Sequence, residues 1–234
     1  TYFAWCAARG TDVFAMTRPH VEVYVRWMEE QRRYAPATIA RRLSTVAGYY
    51  RFAVIDGYLD RSPAEYVRRP HVPEESQVLG LDRMQLGALV ATARASTPDE
   101  AALITMLGLL GLRIGEACSV DVDDMGTERG HRTLHIIGKG NKPALIPLPV
   151  PVARTLDLAS AERLSGPLLR TRTGRRMDRN AASRIVHRLA RRAGIEHHVG
   201  CHALRHAFIT AALDAGVPLR DVQIAARHAD PRTT

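Results

Sequence analysis

A proline-containing stretch of eight residues divides this chain into two segments of unequal length. Residues 69–76 (RPHVPEES) have the composition of a linker, and we expect them to lie extended and lightly packed. We therefore predict a small domain over residues 1–70, a connection over residues 71–80 and a larger domain over residues 81–234. The 234 residues are enough for both domains to bury a core.

Apolar residues at helical spacing dominate both segments. Ile39, Leu43, Val46, Tyr50 and Val54 recur every three or four residues, which predicts a long amphipathic helix in the first segment. Further helices are predicted over residues 19–33, after Ser62-Pro63, and at 82–95, 98–113, 115–120, 151–164, 179–193, 201–215 and 218–228. The fold class is therefore expected to be mainly α.

Only two short stretches have the composition of strands. They are residues 133–137 and 144–148, and the sequence Gly138-Lys139-Gly140-Asn141 between them is typical of a tight hairpin turn. We therefore expect a small antiparallel β-sheet within the second, mostly helical domain.

The charge of the chain favours a polyanionic partner. Its net charge is +9 and its pI is about 10, which is typical of nucleic-acid binding, although solvated arginine faces in a basic proteome would give the same balance. Of the 33 basic residues 31 are arginine, and the two lysines, Lys139 and Lys142, fall in one short loop.

No membrane span or secretion signal is expected from the sequence. No apolar run reaches the ~18 residues that a membrane span needs, and no signal peptide opens the chain. The cysteines Cys6, Cys118 and Cys201 are scattered, which favours unpaired thiols in the cytoplasm. Because the first residue is Thr1 and opens directly into a helical pattern, we expect the N-terminus to be truncated.

Arg113 follows an apolar stretch, residues 103–112, that carries no charge. A guanidinium at the end of such a helix is expected to be partly desolvated and to need an anion. That anion could be a phosphate of a ligand, or it could be the carboxylate of Glu116, three residues further on the same helical face.

Lys139 lies between two glycines at the tip of the predicted hairpin, from which it can project into a cleft. Burial and neighbouring cations can lower the pKa of a lysine toward neutrality, so a lysine can act as a general acid where an arginine cannot. The alternative is a solvated turn lysine. A phosphate-cradling P-loop is excluded, because the Lys-Ser/Thr pair and the strand-to-helix context are missing.

His202 and Arg205 are three residues apart on one predicted helix and therefore share a face. Arg205 can donate two hydrogen bonds to a phosphate, and His202 can accept or donate a proton near pH 7. A competing hypothesis is a metal site built from His198, His202 and His206 at intervals of four residues. It is weaker because His198 precedes the predicted start of the helix, and His206 is expected to be structural.

His228 ends the last predicted helix, where a histidine is often a favourable cap of the helix dipole. Together with Arg113, Lys139, His202 and Arg205 it completes a set suited to phosphoryl transfer. That reaction needs cations for the phosphate oxygens, a proton acceptor for the nucleophile and a proton donor for the leaving oxygen. Because there is no carboxylate cluster for two metal ions, we expect no metal and no cofactor.

The order of these motifs resembles that of the tyrosine recombinase, or phage integrase, family, including its Xer-like members. The matching stretches are GLRIGEACSVDVDDM, IIGKGNKPALIPLP, HALRHAFIT and RHADPRTT, and residues 35–67 look like the helical core-binding domain of the family. The resemblance implies a small helical, SAM-like core-binding domain and a mostly helical catalytic domain with a small sheet, which close around duplex DNA.

The same resemblance implies a role for each motif residue. Arg113 and Arg205 would bind the scissile phosphate, and His228 would donate a hydrogen bond to it. Lys139 would protonate the leaving 5′-oxygen, and His202 would assist proton transfer from the nucleophile. Glu116 would orient the site, and DNA contacts are expected from Arg41, Arg42 and Lys142.

The family nucleophile is a tyrosine about nine residues beyond the position of His228, whereas Thr234 is six beyond it. All seven tyrosines lie in the first segment. We therefore expect a C-terminally truncated chain that does not cleave DNA by itself, from a family that recombines sites as a homotetramer through a 3′-phosphotyrosyl link. The alternatives are a DNA-binding protein that occupies such sites without cleavage, and a chain that receives its tyrosine from an intact partner.

Overall fold

The computed structural model describes residues 1–72, 80–138 and 140–227. Within these ranges the chain forms ten α-helices and one three-stranded antiparallel sheet, which confirms the prediction of a mainly α fold with a small sheet. The chain divides into two compact units, residues 1–76 and 77–234. No helix in the described ranges is long and apolar enough to cross a membrane.

The first unit consists of three helices, α1 (Tyr2–Ala7), α2 (Arg18–Arg26) and α3 (Pro36–Ile55). α2 continues into one π-helical segment at Trp27–Gln31. The predicted stripe on α3 is confirmed, because its first four residues are buried and pack in the core. The helix predicted after Ser62-Pro63 is not formed; residues 63–66 make a turn instead.

The core of the first unit is built from aromatic side chains. Tyr2, Trp5, Tyr24 and Tyr50 are all buried. The hydroxyl of Tyr50 donates to the carbonyl oxygen of Val13 at 2.9 Å, so it is left to accept from the Tyr2 hydroxyl at 2.8 Å. The hydroxyls of Tyr2 and Tyr50 are therefore paired with each other and with the backbone, whereas Nε1 of Trp5 is buried without a hydrogen-bond partner among the described residues.

The second unit is organised around one buried helix. Its seven helices are α4 (Arg83–Arg94), α5 (Pro98–Gly108), α6 (Ile114–Ser119), α7 (Val150–Ser160), α8 (Arg179–Arg192), α9 (Cys201–Asp214) and α10 (Leu219–Ala226). Every residue of α5 from Ala101 to Gly108 is buried, and α5 packs against α4, α7 and α9. Asp82 caps α4, as predicted, by accepting from the backbone N–H of Gln85 at 2.7 Å.

α5 is shorter than predicted, and the difference positions Arg113. The helix ends at Gly108, and the chain turns through Gly111, whose φ of +61° is a conformation that favours glycine. A Cβ on Gly111 would also lie 2.5 Å from Cδ1 of Phe208 on α9. The turn therefore depends on glycine, and it delivers Arg113 to the start of α6 rather than to the end of α5.

The sheet follows α6 in the order β1 (Met125–Glu128), β2 (His131–Gly138) and β3 (Lys142–Pro147). β2 and β3 pair antiparallel with Gly138 opposite Lys142, which confirms the predicted hairpin. Lys139, at its tip, lies outside the described residues. β1 is not predicted from the sequence, because its four residues, MGTE, are mostly exposed and carry no apolar alternation.

Candidate functional site

Glu116 is the buried centre of the candidate site. It lies in the first turn of α6 with only 5% of its side chain exposed. Its Oε2 accepts from the backbone N–H of Arg113 at 2.8 Å, and its Oε1 accepts from Nη1 of Arg113 at the same distance. The ion pair that the sequence offered as an alternative for Arg113 is therefore formed.

The charge of Glu116 is maintained by its neighbours. Burial alone would raise the pKa of this carboxyl, but the backbone N–H and guanidinium of Arg113 and the charge of Arg227 together lower the pKa below its usual range. Glu116 is therefore ionised at neutral pH. Arg113 and Arg227 pair with this carboxylate, and Arg205 lies near enough for the charge of Glu116 to act on it. We call Arg113, Arg205 and Arg227 the arginine cluster; with Glu116 it carries a net charge of +2.

Arg205 is buried, with 1% of its surface exposed. Its Nη1 donates to the carbonyl oxygen of Gly111, and its Nη2 donates to that of Ala226. Burial, followed by the charges of Arg113 and Arg227, lowers the pKa of Arg205 to about 10, so it stays protonated at neutral pH. It thus links the turn before α6 to the end of α10.

Arg227 is a site residue that sequence reasoning missed. It directly follows α10 in a left-handed conformation, with φ 54° and ψ 45°. Its Nη2 lies 3.0 Å from Oε2 of Glu116, and its carbonyl oxygen accepts from Nη2 of Arg113 at 3.3 Å. The only available signal was its place beside His228, which itself lies outside the described residues.

His202 lies one turn before Arg205 on α9, and its side chain is exposed. Partial burial of the ring, followed by the charges of His206, Arg205 and Arg113, lowers its pKa. His202 is therefore largely neutral at pH 7 and can accept a proton. The ring of His206 stands perpendicular to it, with 4.5 Å between ring centroids.

The metal hypothesis for His198, His202 and His206 finds no support in the geometry. Nε2 of His198 lies 3.0 Å from Nε2 of His187 on α8, so His198 is paired away from α9. In the part of the chain that the structure describes, no three histidine, cysteine or acidic side chains are gathered as metal ligands would be.

A cleft of about 880 Å³ lies between α6 and the β2–β3 hairpin. Arg113, whose side chain is 35% exposed, lines it together with Gly138 and Pro143, which adjoin the turn of the hairpin. A Cβ on Gly138 would lie 3.8 Å from Oε1 of Glu116, so the strand that leads to Lys139 passes beside the arginine cluster. Lys142 is exposed at the start of β3.

Arg179 is a second residue that sequence reasoning missed. It begins α8, is exposed and lines the same cleft. A Cβ on Gly115 would lie 2.8 Å from Nη2 of Arg179, so the guanidinium rests directly on the backbone of α6. This contact joins residues 64 positions apart and has no local sequence signal.

Arg41 and Arg42 lie on α3 in the first unit. Arg41 is exposed, and the guanidinium carbon of Arg42 lies 4.4 Å from the centroid of the Tyr34 ring. A pocket of about 660 Å³ lies beside them and is also lined by Thr45 and Tyr49. It combines the positive charge of the two arginines with aromatic side chains.

Protein-family models match both units. The model described as "Phage integrase family" matches residues 80–234, and that described as "Phage integrase, N-terminal SAM-like domain" matches residues 1–57. The chain is 33% identical to the tyrosine recombinase XerC of Mycobacterium sp. (strain KMS), over 99% of this chain and 82% of that protein.

Solved structures share the fold. A lambda integrase dimer bound to a COC′ core site gives a TM-score of 0.74 at 16% identity, over 94% of this chain and 81% of that one. The crystal structure of the XerA recombinase gives a TM-score of 0.60 at 21% identity, over 99% of this chain and 81% of that one.

Proposed function

The chain belongs to the phage integrase family and is a site-specific DNA recombinase of the tyrosine type, and we propose that its arginine cluster holds the scissile phosphate. One observation carries this proposal. Arg113 is tied to a buried carboxylate on one side and exposes a third of its side chain to a cleft on the other. A cation fixed in this way is preorganised for an anion, so little reorganisation is needed when a phosphate arrives.

Arg113 and Arg205 would share the work of stabilising the phosphate. Arg113 donates to a non-bridging oxygen from the cleft, and Arg205 supplies a second, buried charge behind it. Because Arg205 also links the turn before α6 to the end of α10, it keeps the phosphate-binding groups of both segments in place. Glu116 orients Arg113, and His228 donates a further hydrogen bond to the phosphate.

The reaction exchanges one phosphodiester bond for another, so it needs no external energy source. The hydroxyl oxygen of a tyrosine, which the family pattern places about nine residues after His228, attacks phosphorus and forms a P–O bond. The bond from phosphorus to the 5′-oxygen breaks, and the 3′-phosphotyrosyl link results. His202, neutral at pH 7, takes the hydroxyl proton, and Lys139 gives a proton to the leaving oxygen. Attack by the 5′-hydroxyl of another strand reverses these steps.

Duplex DNA is the proposed partner, because the site requires a phosphodiester and the chain carries a net charge of +9. Arg41, Arg42 and Lys142 would contact the DNA backbone, which positions the protein without reading sequence. The lambda integrase in the solved structure is a dimer bound to a core site. We propose that this chain likewise assembles on DNA, as a homotetramer, and that it acts in the cytoplasm.

The test begins with the codons that follow Thr234 and with selection of bound duplexes from a random library. The protein encoded by the open frame is then incubated with a selected duplex that is nicked near the cleavage position, so that religation is prevented. We expect a covalent protein–DNA adduct through a 3′-phosphate, and Arg113→Ala should lower its rate of formation about 100-fold or more. Sequence-specific binding without any adduct would instead favour a protein that occupies recombination sites.

A further inference from the structure

We propose that Arg227 is a positioning residue, which limits Arg113 to a single side-chain hydrogen bond with Glu116 and so leaves the remaining Arg113 donors for the scissile phosphate. This role rests on the proposed function. It concerns a residue that follows α10 and pairs with a carboxylate 111 positions earlier in the chain.

Both oxygens of Glu116 are occupied. Oε1 accepts from Nη1 of Arg113 at 2.8 Å, whereas Oε2 accepts from the backbone N–H of Arg113 at 2.8 Å and from Nη2 of Arg227 at 3.0 Å. An arginine that faces a carboxylate alone often forms two parallel N–H···O bonds with it. Because Oε2 is already taken here, the guanidinium of Arg113 makes only one bond to Glu116.

The backbone of Arg227 holds Arg113 at a second point. Its carbonyl oxygen accepts from Nη2 of Arg113 at 3.3 Å, so the two terminal nitrogens of Arg113 are directed to two different partners. The left-handed backbone at Arg227 is unfavourable for a residue with a side chain. It turns the guanidinium back toward Glu116 while the carbonyl faces Arg113, which closes a ring of contacts among the three residues.

Arg113 and Arg227 differ in how far their side chains are exposed, and this difference indicates different roles. The Arg227 side chain is 16% exposed and is directed toward Glu116, whereas that of Arg113 is 35% exposed and lines the cleft. The like charge of Arg227 also repels Arg113 away from the carboxylate and toward the cleft. Arg227 therefore acts on the phosphate through Arg113.

The variant Arg227→Met removes the guanidinium but keeps the backbone carbonyl. Oε2 of Glu116 keeps its bond from the backbone N–H of Arg113 but loses the one from Arg227, which frees one acceptor position. Arg113 is then expected to form a bidentate pair with Glu116 and to withdraw from the phosphate. We expect the rate of adduct formation on the nicked duplex to fall about 10- to 100-fold, because small displacements of a catalytic group have effects of that size. DNA affinity and its salt slope should fall no further than they do in Arg113→Ala, because Arg227 itself does not contact the phosphate. Arg227→Lys, which keeps the charge beside Glu116, should recover part of the rate.

The matched control is Arg220→Met, which removes one exposed positive charge from α10, the helix that Arg227 follows, and should leave the rate unchanged. The decisive comparison is with Arg113→Ala. If Arg227 acts through Arg113, the double variant Arg113→Ala/Arg227→Met should form the adduct no more slowly than Arg113→Ala alone, within about twofold. Multiplying effects on the rate, or a salt slope that is smaller in the double variant than in Arg113→Ala alone, as a direct phosphate contact by Arg227 would make it, would overturn the proposal.

A second measurement separates this proposal from the proposed function. Urea denaturation of the unsubstituted protein, Arg227→Met, Arg113→Ala and the double variant gives the coupling free energy between Arg113 and Arg227 without any catalysis. If the unsubstituted protein forms no adduct, the proposed function fails, and the coupling alone decides whether Arg227 holds Arg113. Strictly additive midpoints would overturn that role. Should Arg227→Met not fold, Arg227→Gly, which relieves the left-handed backbone, takes its place in both measurements.

Discussion

In the first unit arginines lie over aromatic rings at the surface, whereas in the second unit two arginines pair with one buried carboxylate and a third is buried nearby. Arg9 and Arg42 have their guanidinium carbons 4.1 and 4.4 Å from the ring centroids of Trp5 and Tyr34. Such exposed contacts contribute about 0.5–1 kcal/mol each. Breaking a buried ion pair by removing one partner costs about 3–5 kcal/mol, so the same residue type has very different weight in the two units.

The aromatic residues divide in the same way. All seven tyrosines and both tryptophans lie in the first unit, and Phe208 is the single aromatic residue among Phe, Tyr and Trp in residues 77–234. Tryptophan fluorescence therefore reports on the first unit alone, while circular dichroism reports on both. The two units can be followed separately in one denaturation experiment.

The largest expected effect comes from Glu116→Gln. It removes the negative charge that pairs with Arg113 and Arg227, and the free energy of unfolding of the second unit should fall by about 3–5 kcal/mol. Urea denaturation followed by circular dichroism measures this change. The control Asp157→Asn breaks the exposed pair with Arg132 and should cost at most about 1 kcal/mol. Equal losses for the two variants would contradict the contrast between buried and exposed arginines.

Acid should weaken the second unit through the same carboxylate. Because the folded pKa of Glu116 is lowered, its contribution is fully present above the ordinary pKa of a glutamate and is lost as pH falls through the lower, folded value. The loss should be smaller than that of Glu116→Gln, because protonation removes only the stability that corresponds to the difference between the folded and unfolded pKa of this group. In Glu116→Gln the acid side of the stability profile should be flatter; an unchanged profile would exclude this linkage.

A smaller effect is expected in the aromatic core. Tyr50→Phe removes the hydroxyl that donates to the half-buried Val13 and accepts from the buried Tyr2, and both groups lose this partner. The free energy of unfolding should fall by about 1–2 kcal/mol, measured by tryptophan fluorescence in urea. Tyr58→Phe, at a ring that is 68% exposed, should have no measurable effect.

The smallest effect concerns the surface arginines. If Arg42 contacts the DNA backbone, Arg42→Met should weaken binding a few-fold and should reduce the salt slope of the affinity by about one unit. Arg9→Met removes the same charge from the same unit but away from α3, and it should leave the slope unchanged. Identical slopes for all three proteins would argue against a phosphate contact by Arg42.

Local spacing predicted those parts of the site that are close in sequence. Arg113 and Glu116, three residues apart, pair as one alternative anticipated, and His202 and Arg205 lie on one helix as expected. The hairpin was predicted because glycine and asparagine at its tip favour a turn between two apolar strands. These features depend only on periodicity and turn chemistry, which a sequence displays directly.

Contacts between distant residues could not be predicted in this way. The pairing of Arg227 with Glu116 spans 111 positions, and it depends on a left-handed residue at the end of α10. The early end of α5 depends on Gly111 meeting Phe208, which is known only once α9 is packed. The predicted roles of Lys139 and His228 remain predictions, because both residues lie outside the described ranges.

Ethylation interference tests the central claim, that the arginine cluster binds the phosphate at which the strand is cut. Ethylation removes the charge of one phosphate at a time, and the positions that block binding identify the phosphates that the protein contacts. With the selected duplex, one blocking position should lose its effect in Arg113→Ala, and this phosphate should coincide with the position of the covalent adduct. An unchanged pattern, or a loss at a phosphate away from the cut, would contradict the account.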